Sequence, residues 1–329
     1  MLVRIFRQNQ PAPLFLLPPL VLALWPGGTT WSAAADAPVG HGMPLFLAVR
    51  HLLGTTGWLP AVASMLLVIG LAIQVNFVAN ESELFERRNY LPALLLPLFL
   101  ALFPFGLVLG PEVLGMPFVL LALRKPWGVQ GRPNVLGPLF DAGLLIGLAA
   151  LCHLPYAFMV VVVHASLSVM RPFHWREHVV TLLGLGAMLF LGWGITHLFA
   201  PASWDPRLSV MDASPAKPVI GPERHWLYRS LLITLSLLFA IAGVVAFTAG
   251  YARSIIREKN IRTSFVAFTL VCAIIAGFDR LIEGRVPSIL VATPLSIFLA
   301  WPLVNVRRNV LAEIGVLLLA GLGLWARWG

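Results

Sequence analysis

The chain is a succession of long apolar runs separated by short polar connections. Most runs approach the roughly 20 helical residues that cross a hydrocarbon core about 30 Å thick. The runs at 12–26, 112–123 and 156–170 are shorter, so we expect them to be tilted, re-entrant or locally distorted. The pattern predicts an all-α transmembrane bundle of about eleven spans, forming a single integral membrane domain over residues 1–329. The runs fall at about 12–26, 57–79, 91–109, 112–123, 134–154, 156–170, 179–199, 228–250, 263–278, 286–306 and 310–326.

The positive charges indicate how the spans are oriented. Fifteen of the 23 lysine and arginine residues fall in connections on the same side as the N-terminus, among them Arg87, Arg124 and Arg257. Cytoplasmic loops carry an excess of such residues, and a missed span would invert the bias of every later loop. The bias holds along the whole chain. The sequence therefore predicts a multi-pass protein of a bacterial inner membrane, with its N-terminus inside and its C-terminus outside.

The composition excludes several classes of protein. Hydrophobic residues make up 59% of the chain and charged residues 11%, with a mean hydropathy of +0.86, which is outside the range of ordinary soluble domains. The net charge of +9 is scattered, without the basic helix face that binds nucleic acid. Cys152 and Cys272 lie within apolar runs and lack metal-ligand spacing, and no nucleotide-binding or hydrolase motif occurs. We expect no nucleic-acid partner, no metal site and no ATP-driven motor, and the residues identify no cofactor.

The first apolar run has a second interpretation. A basic start, a modest apolar stretch and small residues at 32–35 together resemble a secretory signal with its cleavage site. Four prolines between Pro11 and Pro19 argue against an ordinary signal helix. Cleavage near residue 35 would leave the orientation of every later span unchanged.

Two connections predicted on the outer side are much longer than the others, at about 27–56 and 200–227. Long loops carry function more often than short turns do. Within the first loop, the apolar residues of 43–53 predict a helix that lies in the membrane interface. In the second, Trp204 and Trp226 are placed as interfacial anchors.

Two ionisable residues stand inside apolar runs, where charge is costly and usually faces the bundle interior or water. Asp141 lies about seven residues past the cytoplasmic end of its run, and His164 lies on the following run. Asp141 is either a proton or substrate contact, or a buried carboxyl that is hydrogen-bonded to Ser, Thr or His on a neighbouring helix. A hairpin near Pro155 would bring His164 to a similar depth, so it is the nearest candidate partner.

Several glycines have the small-xxx-small spacing that lets two helix backbones approach closely. Gly143 and Gly147 lie on one run, and Gly184, Gly186, Gly192 and Gly194 lie on a later run. We interpret these positions as packing surfaces between helices.

Three segments resemble an uncharacterised bacterial family of polytopic inner-membrane proteins. They are the stretch 140–151, which opens with Phe-Asp-Ala-Gly, together with 80–92 and 294–300. The resemblance covers most of the chain and implies a multi-pass bundle. It implies no catalytic residue.

The stretch 142–149, Ala-Gly-x-x-x-Gly-Leu-Ala, is also similar to one found in membrane glycosyltransferases that use polyprenyl-phosphate sugars, the GT-C-like enzymes. That family places a catalytic carboxylate in the first outer loop, before a membrane-parallel helix. The resemblance implies that Asp36 is the catalytic base that deprotonates an acceptor, and that Arg207, Arg224 or Arg229 binds the lipid phosphate. A single aspartate stands here where the family often has an acidic pair.

The sequence leaves three functions open. A GT-C-like enzyme handling lipid-linked saccharide or envelope precursors needs an outward cavity that joins Asp36 to basic residues, with membrane lipids and a polyprenyl-linked sugar as partners. A transporter or flippase for an amphipathic substrate needs a polar cavity near mid-membrane, so Asp141 and His164 should face water. A scaffold subunit of an envelope assembly needs neither. These demands can be compared with the structure.

Overall fold

The computed structural model describes residues 2–8, 10–25, 43–54, 58–85, 87–103, 106–131, 134–199, 255–283, 286–305 and 309–328, with scattered positions between 241 and 251. The described part is helical throughout and contains no strand. This confirms the all-α prediction for that part of the chain. The helices are α1 (Leu2–Phe6), α2 (Leu17–Leu24), α3 (Pro44–Leu53), α4 (Trp58–Glu81), α5 (Leu91–Ala101), α6 (Pro111–Trp127), α7 (Leu136–Cys152), α8 (Val160–Met170), α9 (Trp175–Phe199), α10 (Ile256–Glu283), α11 (Ser288–Asn305) and α12 (Asn309–Trp328), with 3₁₀ helices at Ala12–Leu16 and Leu154–Met159.

Three of these helices are long and apolar enough to cross a membrane: Trp58–Glu81, Trp175–Leu198 and Ile256–Ile282. They correspond to the predicted runs at 57–79, 179–199 and 263–278. Most of the other predicted runs form shorter apolar helices of 10–17 residues. The predicted run at 228–250 lies largely outside the described residues.

Helix α5 forms the centre of the bundle. All of its residues are buried, including Pro97 in its interior, and it packs against α4, α11 and α12. A helix that is hydrophobic on every face needs apolar surroundings on every side, and here other helices provide them. The burial of α5 therefore explains why its run shows no amphipathic pattern.

The segment between α4 and α5 is held by side-chain amides. The side chain of Asn80 donates to the carbonyl oxygen of Asn89 at 2.8 Å and accepts from its backbone N–H at 3.2 Å. The Asn89 side chain accepts from the backbone N–H of Leu91 at 3.2 Å, at the start of α5. These bonds join the end of α4 to the start of α5.

Helices α7 and α9 make the closest helix–helix contact along the glycine positions that the sequence indicates. A Cβ atom at Gly143 would meet the carbonyl oxygen of Thr181, and one at Gly184 would meet the carbonyl oxygen of Phe140. Cβ atoms at Gly147 and Gly192 would meet side chains of the opposite helix. The packing interpretation is therefore confirmed for these four glycines. It is wrong for Gly186 and Gly194, because nothing in the described part of the chain lies within 4 Å of a Cβ atom at either position.

Candidate functional site: a buried histidine–aspartate pair

A break in the chain after α7 places a histidine inside the bundle. Helix α7 ends at Cys152, and Leu154–Met159 continues as a 3₁₀ helix with Pro155 in its first turn. His153 stands between them with an extended backbone. The break turns the His153 side chain away from the course of α7 and toward α10.

Asp279 on α10 is the partner of this histidine. The distance from His153 Nε2 to Asp279 Oδ2 is 3.0 Å, and the two side chains are only 4% and 5% exposed. At this distance a protonated ring nitrogen donates to a carboxylate. Burying either group without the other would cost free energy, and the interaction between the two groups offsets that cost inside an apolar bundle.

Tyr156 completes the surroundings of the pair. Its ring is fully buried and meets the His153 ring edge-on, with the ring centroids 5.2 Å apart. Its hydroxyl donates to the carbonyl oxygen of Glu112 at 2.6 Å, and the Glu112 residue is only 6% exposed. We call His153, Tyr156, Glu112 and Asp279 the His153 cluster.

The His153 cluster unites three separate parts of the chain. Glu112 lies in the first turn of α6, His153 and Tyr156 lie at the break after α7, and Asp279 lies one turn before the end of α10. The sequence predicts all of these positions on the outer side. Chemically, the pair can bind a proton or release one, because histidine titrates near neutral pH when its surroundings permit.

The structure places Asp141 on an exposed side of α7. Its side chain is 51% exposed and accepts from Lys125 Nζ at 2.8 Å. The expectation of a buried carboxyl that is hydrogen-bonded to Ser, Thr or His is therefore wrong, because a lysine from α6 reaches the outward-facing side of α7. An ion pair this exposed contributes at most about 1 kcal/mol.

His164 packs against another histidine. Its ring lies edge-on to that of His178 on α9, with the centroids 4.9 Å apart, and Phe173 stacks on the opposite side of His178. The Nε2 atom of His164 is buried and has no hydrogen-bond partner within the part of the chain that the structure describes. Asp141 and His164 thus each have a partner other than the one the sequence suggested.

The residues implied by the glycosyltransferase resemblance lie outside the described part of the chain. They are Asp36, Arg207, Arg224 and Arg229. Their predicted roles stay predictions. Among the described residues, no group of three or more His, Cys, Asp or Glu side chains is arranged to hold a metal ion.

Sequence reasoning missed His153, Tyr156 and Asp279. His153 and Tyr156 stand at a predicted turn between two apolar runs, and Asp279 stands just beyond the end of another run, beside Arg280. Ionisable residues at such ends are usually solvated, so none of them drew attention. The available signal was that His153, Asp279 and Glu112 all fall at span ends on one predicted side.

Comparison of the chain with protein-family models, curated proteins and solved structures gave no match.

Proposed function

We propose that the chain is an integral protein of a bacterial inner membrane, with about eleven spans, its N-terminus in the cytoplasm and membership of the uncharacterised family that it resembles. Three membrane-length helices and a set of shorter apolar helices support this topology. Two ion pairs, Arg124 with Glu81 and Arg257 with Glu83, join residues predicted on the inner side. The His153 cluster likewise joins residues predicted on the outer side.

Cysteine labelling tests this topology. Cys152 and Cys272 are buried, so a membrane-impermeant maleimide should leave the natural chain unlabelled in right-side-out vesicles. Among exposed positions, His51→Cys should be labelled from outside, whereas Gln130→Cys and His174→Cys should be labelled only after the vesicles are opened. Labelling of Gln130→Cys in sealed vesicles would contradict the proposed orientation.

Within that topology, the protein functions as a proton-linked transporter of an amphipathic substrate. The observation that supports this is the buried His153–Asp279 pair, 3.0 Å apart. Ionisable side chains buried in a membrane bundle are expensive, and they commonly mark proton relays or substrate pathways. While the pair holds the proton its net charge is zero, because the imidazolium and the carboxylate neutralise each other. Release of the proton leaves a net negative charge, which favours a change of conformation or the entry of substrate.

The proton-binding step can be measured before any substrate is known. Protein containing ¹⁵N-labelled histidine is placed in lipid vesicles, and the His153 signal is identified by its loss in His153→Gln. Solid-state NMR over a range of pH around neutrality tests whether this ring binds and releases a proton, which is the step that the transporter proposal requires. A His153 ring that keeps one protonation state throughout this range would refute the transporter proposal. Asp279→Asn should change the pH dependence of the His153 signal, because the ring then lacks its anionic partner.

A GT-C-like glycosyltransferase is the second candidate function, and helix α3 favours it. The sequence predicts an interfacial helix after the first outer loop, and Pro44–Leu53 is a helix. Ten residues span about 15 Å, which is too short to cross the membrane. Leu52, 80% exposed, and Leu47, 42% exposed, are available to lipid on this helix. In this enzyme Asp36→Asn would abolish sugar transfer from a polyprenyl-phosphate donor, whereas Asp279→Asn would not.

A further inference from the structure

Tyr156 contacts the first turn of α6 through its hydroxyl, and it contacts His153 through its ring and its backbone N–H. The hydroxyl is bonded to the first turn of α6 through the Glu112 carbonyl oxygen, at 2.6 Å. The ring abuts the His153 imidazole, and the backbone N–H of Tyr156 donates to the His153 carbonyl oxygen at 3.0 Å. The position of His153 relative to Asp279 therefore depends on where Tyr156 is held.

Gly115 determines whether the Tyr156 ring can occupy this place. A Cβ atom at position 115 would lie 2.6 Å from Tyr156 Cε2 and 3.1 Å from the carbonyl oxygen of Ala149 on α7. Both distances are shorter than ordinary van der Waals contact. A side chain on α6 at this point would have to displace the ring or separate α6 from α7.

We propose that Tyr156 is a positioning residue for proton exchange: seated against Gly115 and bonded to Glu112, it holds the His153 imidazole against the Asp279 carboxylate. This inference rests on the proposed transporter function and extends it. It also couples the pair to α6, because a shift of the first turn of α6 would pull on the Tyr156 hydroxyl. Breaking the bond between the Tyr156 hydroxyl and Glu112 would weaken the interaction between the Asp279 carboxylate and the protonated His153 ring.

The other titratable groups around the cluster come from each element that packs against it. Helix α6 provides the Glu112 carboxyl, α7 provides Cys152, and α10 provides Cys272 in addition to Asp279; all of them lie within electrostatic range of Tyr156. The thiols are buried and remain uncharged in apolar surroundings. Among the described groups that act on Tyr156, the Glu112 carboxyl is the ionisable group outside the His153–Asp279 pair that is not a thiol, so Glu112→Gln belongs in the same experiment.

The test is the ¹⁵N titration of His153 in lipid vesicles, repeated on variants. Tyr156→Phe keeps the ring but removes the hydroxyl bond, and Gly115→Ala displaces the ring. We expect the pH dependence of the His153 signal to change in both variants, in the same direction as in Asp279→Asn, because a looser imidazole interacts less with the carboxylate. Gly70→Ala is the matched control, since nothing lies within 4 Å of a Cβ atom at that glycine.

The outcomes separate this inference from the function on which it rests. If His153 titrates in the natural protein and Tyr156→Phe leaves its midpoint unchanged, Tyr156 has only a structural role and the inference is wrong. If His153 does not titrate even in the natural protein, the transporter proposal fails first. A lower unfolding temperature with an unchanged midpoint would also count against a positioning role. Glu112→Gln should shift the midpoint without loosening the Tyr156 contact, because the Tyr156 hydroxyl bonds the backbone at 112.

Discussion

Replacing Asp279 with leucine is expected to lower the free energy of unfolding by about 3 kcal/mol. The substitution leaves the His153 imidazole buried without its partner, and the loss of one member of a buried pair typically costs about 3–5 kcal/mol. The low exposure of both side chains, 4% and 5%, places this pair in that class. Unfolding by SDS in mixed micelles measures the difference.

Asp141 provides a matched control for this prediction. It is also an aspartate on an apolar helix, and its ion pair with Lys125 is of similar length, 2.8 Å. Its side chain is half-exposed, however, so Asp141→Leu should cost no more than about 1 kcal/mol. Equal losses of unfolding free energy in Asp141→Leu and Asp279→Leu would contradict the prediction that the buried pair contributes more to stability than the exposed pair.

The double variant His153→Leu/Asp279→Leu tests whether the pair is present for stability or for function. A buried ion pair replaced by apolar residues of similar size is often neutral or even stabilising. We therefore expect the double variant to recover much of the stability lost in Asp279→Leu. Recovery of stability without recovery of His153-dependent proton exchange would indicate that the pair is kept for its chemistry.

The sequence predicts the helices better than it predicts the site, and the contrast between Asp141 and Asp279 shows why. The periodicity and length of the apolar runs indicate where each helix lies, and Gly143 and Gly184 indicate a close contact between two helices. The sequence shows how far along a helix a charge stands, but it does not show which side of the helix meets the bundle. Asp141 stands well inside its apolar run yet is exposed and paired with Lys125, whereas Asp279 stands near a helix end yet is buried against His153.

The position of His153 was beyond prediction for a related reason. Pro155 predicts that α7 ends nearby, but it does not predict that the chain continues as a 3₁₀ helix that stays packed within the bundle. The stacked rings of Phe158 and Phe278, with centroids 6.5 Å apart, attach this 3₁₀ helix to α10 next to Asp279. Such contacts join residues far apart in the chain, and a single sequence carries no direct record of them.

The contact between α7 and α9 gives the second large prediction: Gly143→Ala should lower the free energy of unfolding by about 2 kcal/mol. A Cβ atom at Gly143 would meet the Thr181 carbonyl oxygen and would lie 2.9 Å from the Leu185 backbone nitrogen. Both are backbone atoms of a helix, so neither can rotate away. The two helices would have to separate along their whole contact, with loss of dispersion contacts that in lipid are the main attraction between helices.

Gly186→Ala is the control for this prediction, because nothing lies within 4 Å of a Cβ atom at Gly186 on α9. Alanine also has the higher helix propensity, by about 1 kcal/mol, so Gly186→Ala should be neutral or stabilising. The same propensity gain applies at Gly143, and any loss measured there therefore underestimates the packing cost. If Gly143→Ala were as stable as Gly186→Ala in SDS unfolding, α7 and α9 would not be in backbone contact at this point, and the small-residue spacing would need another explanation.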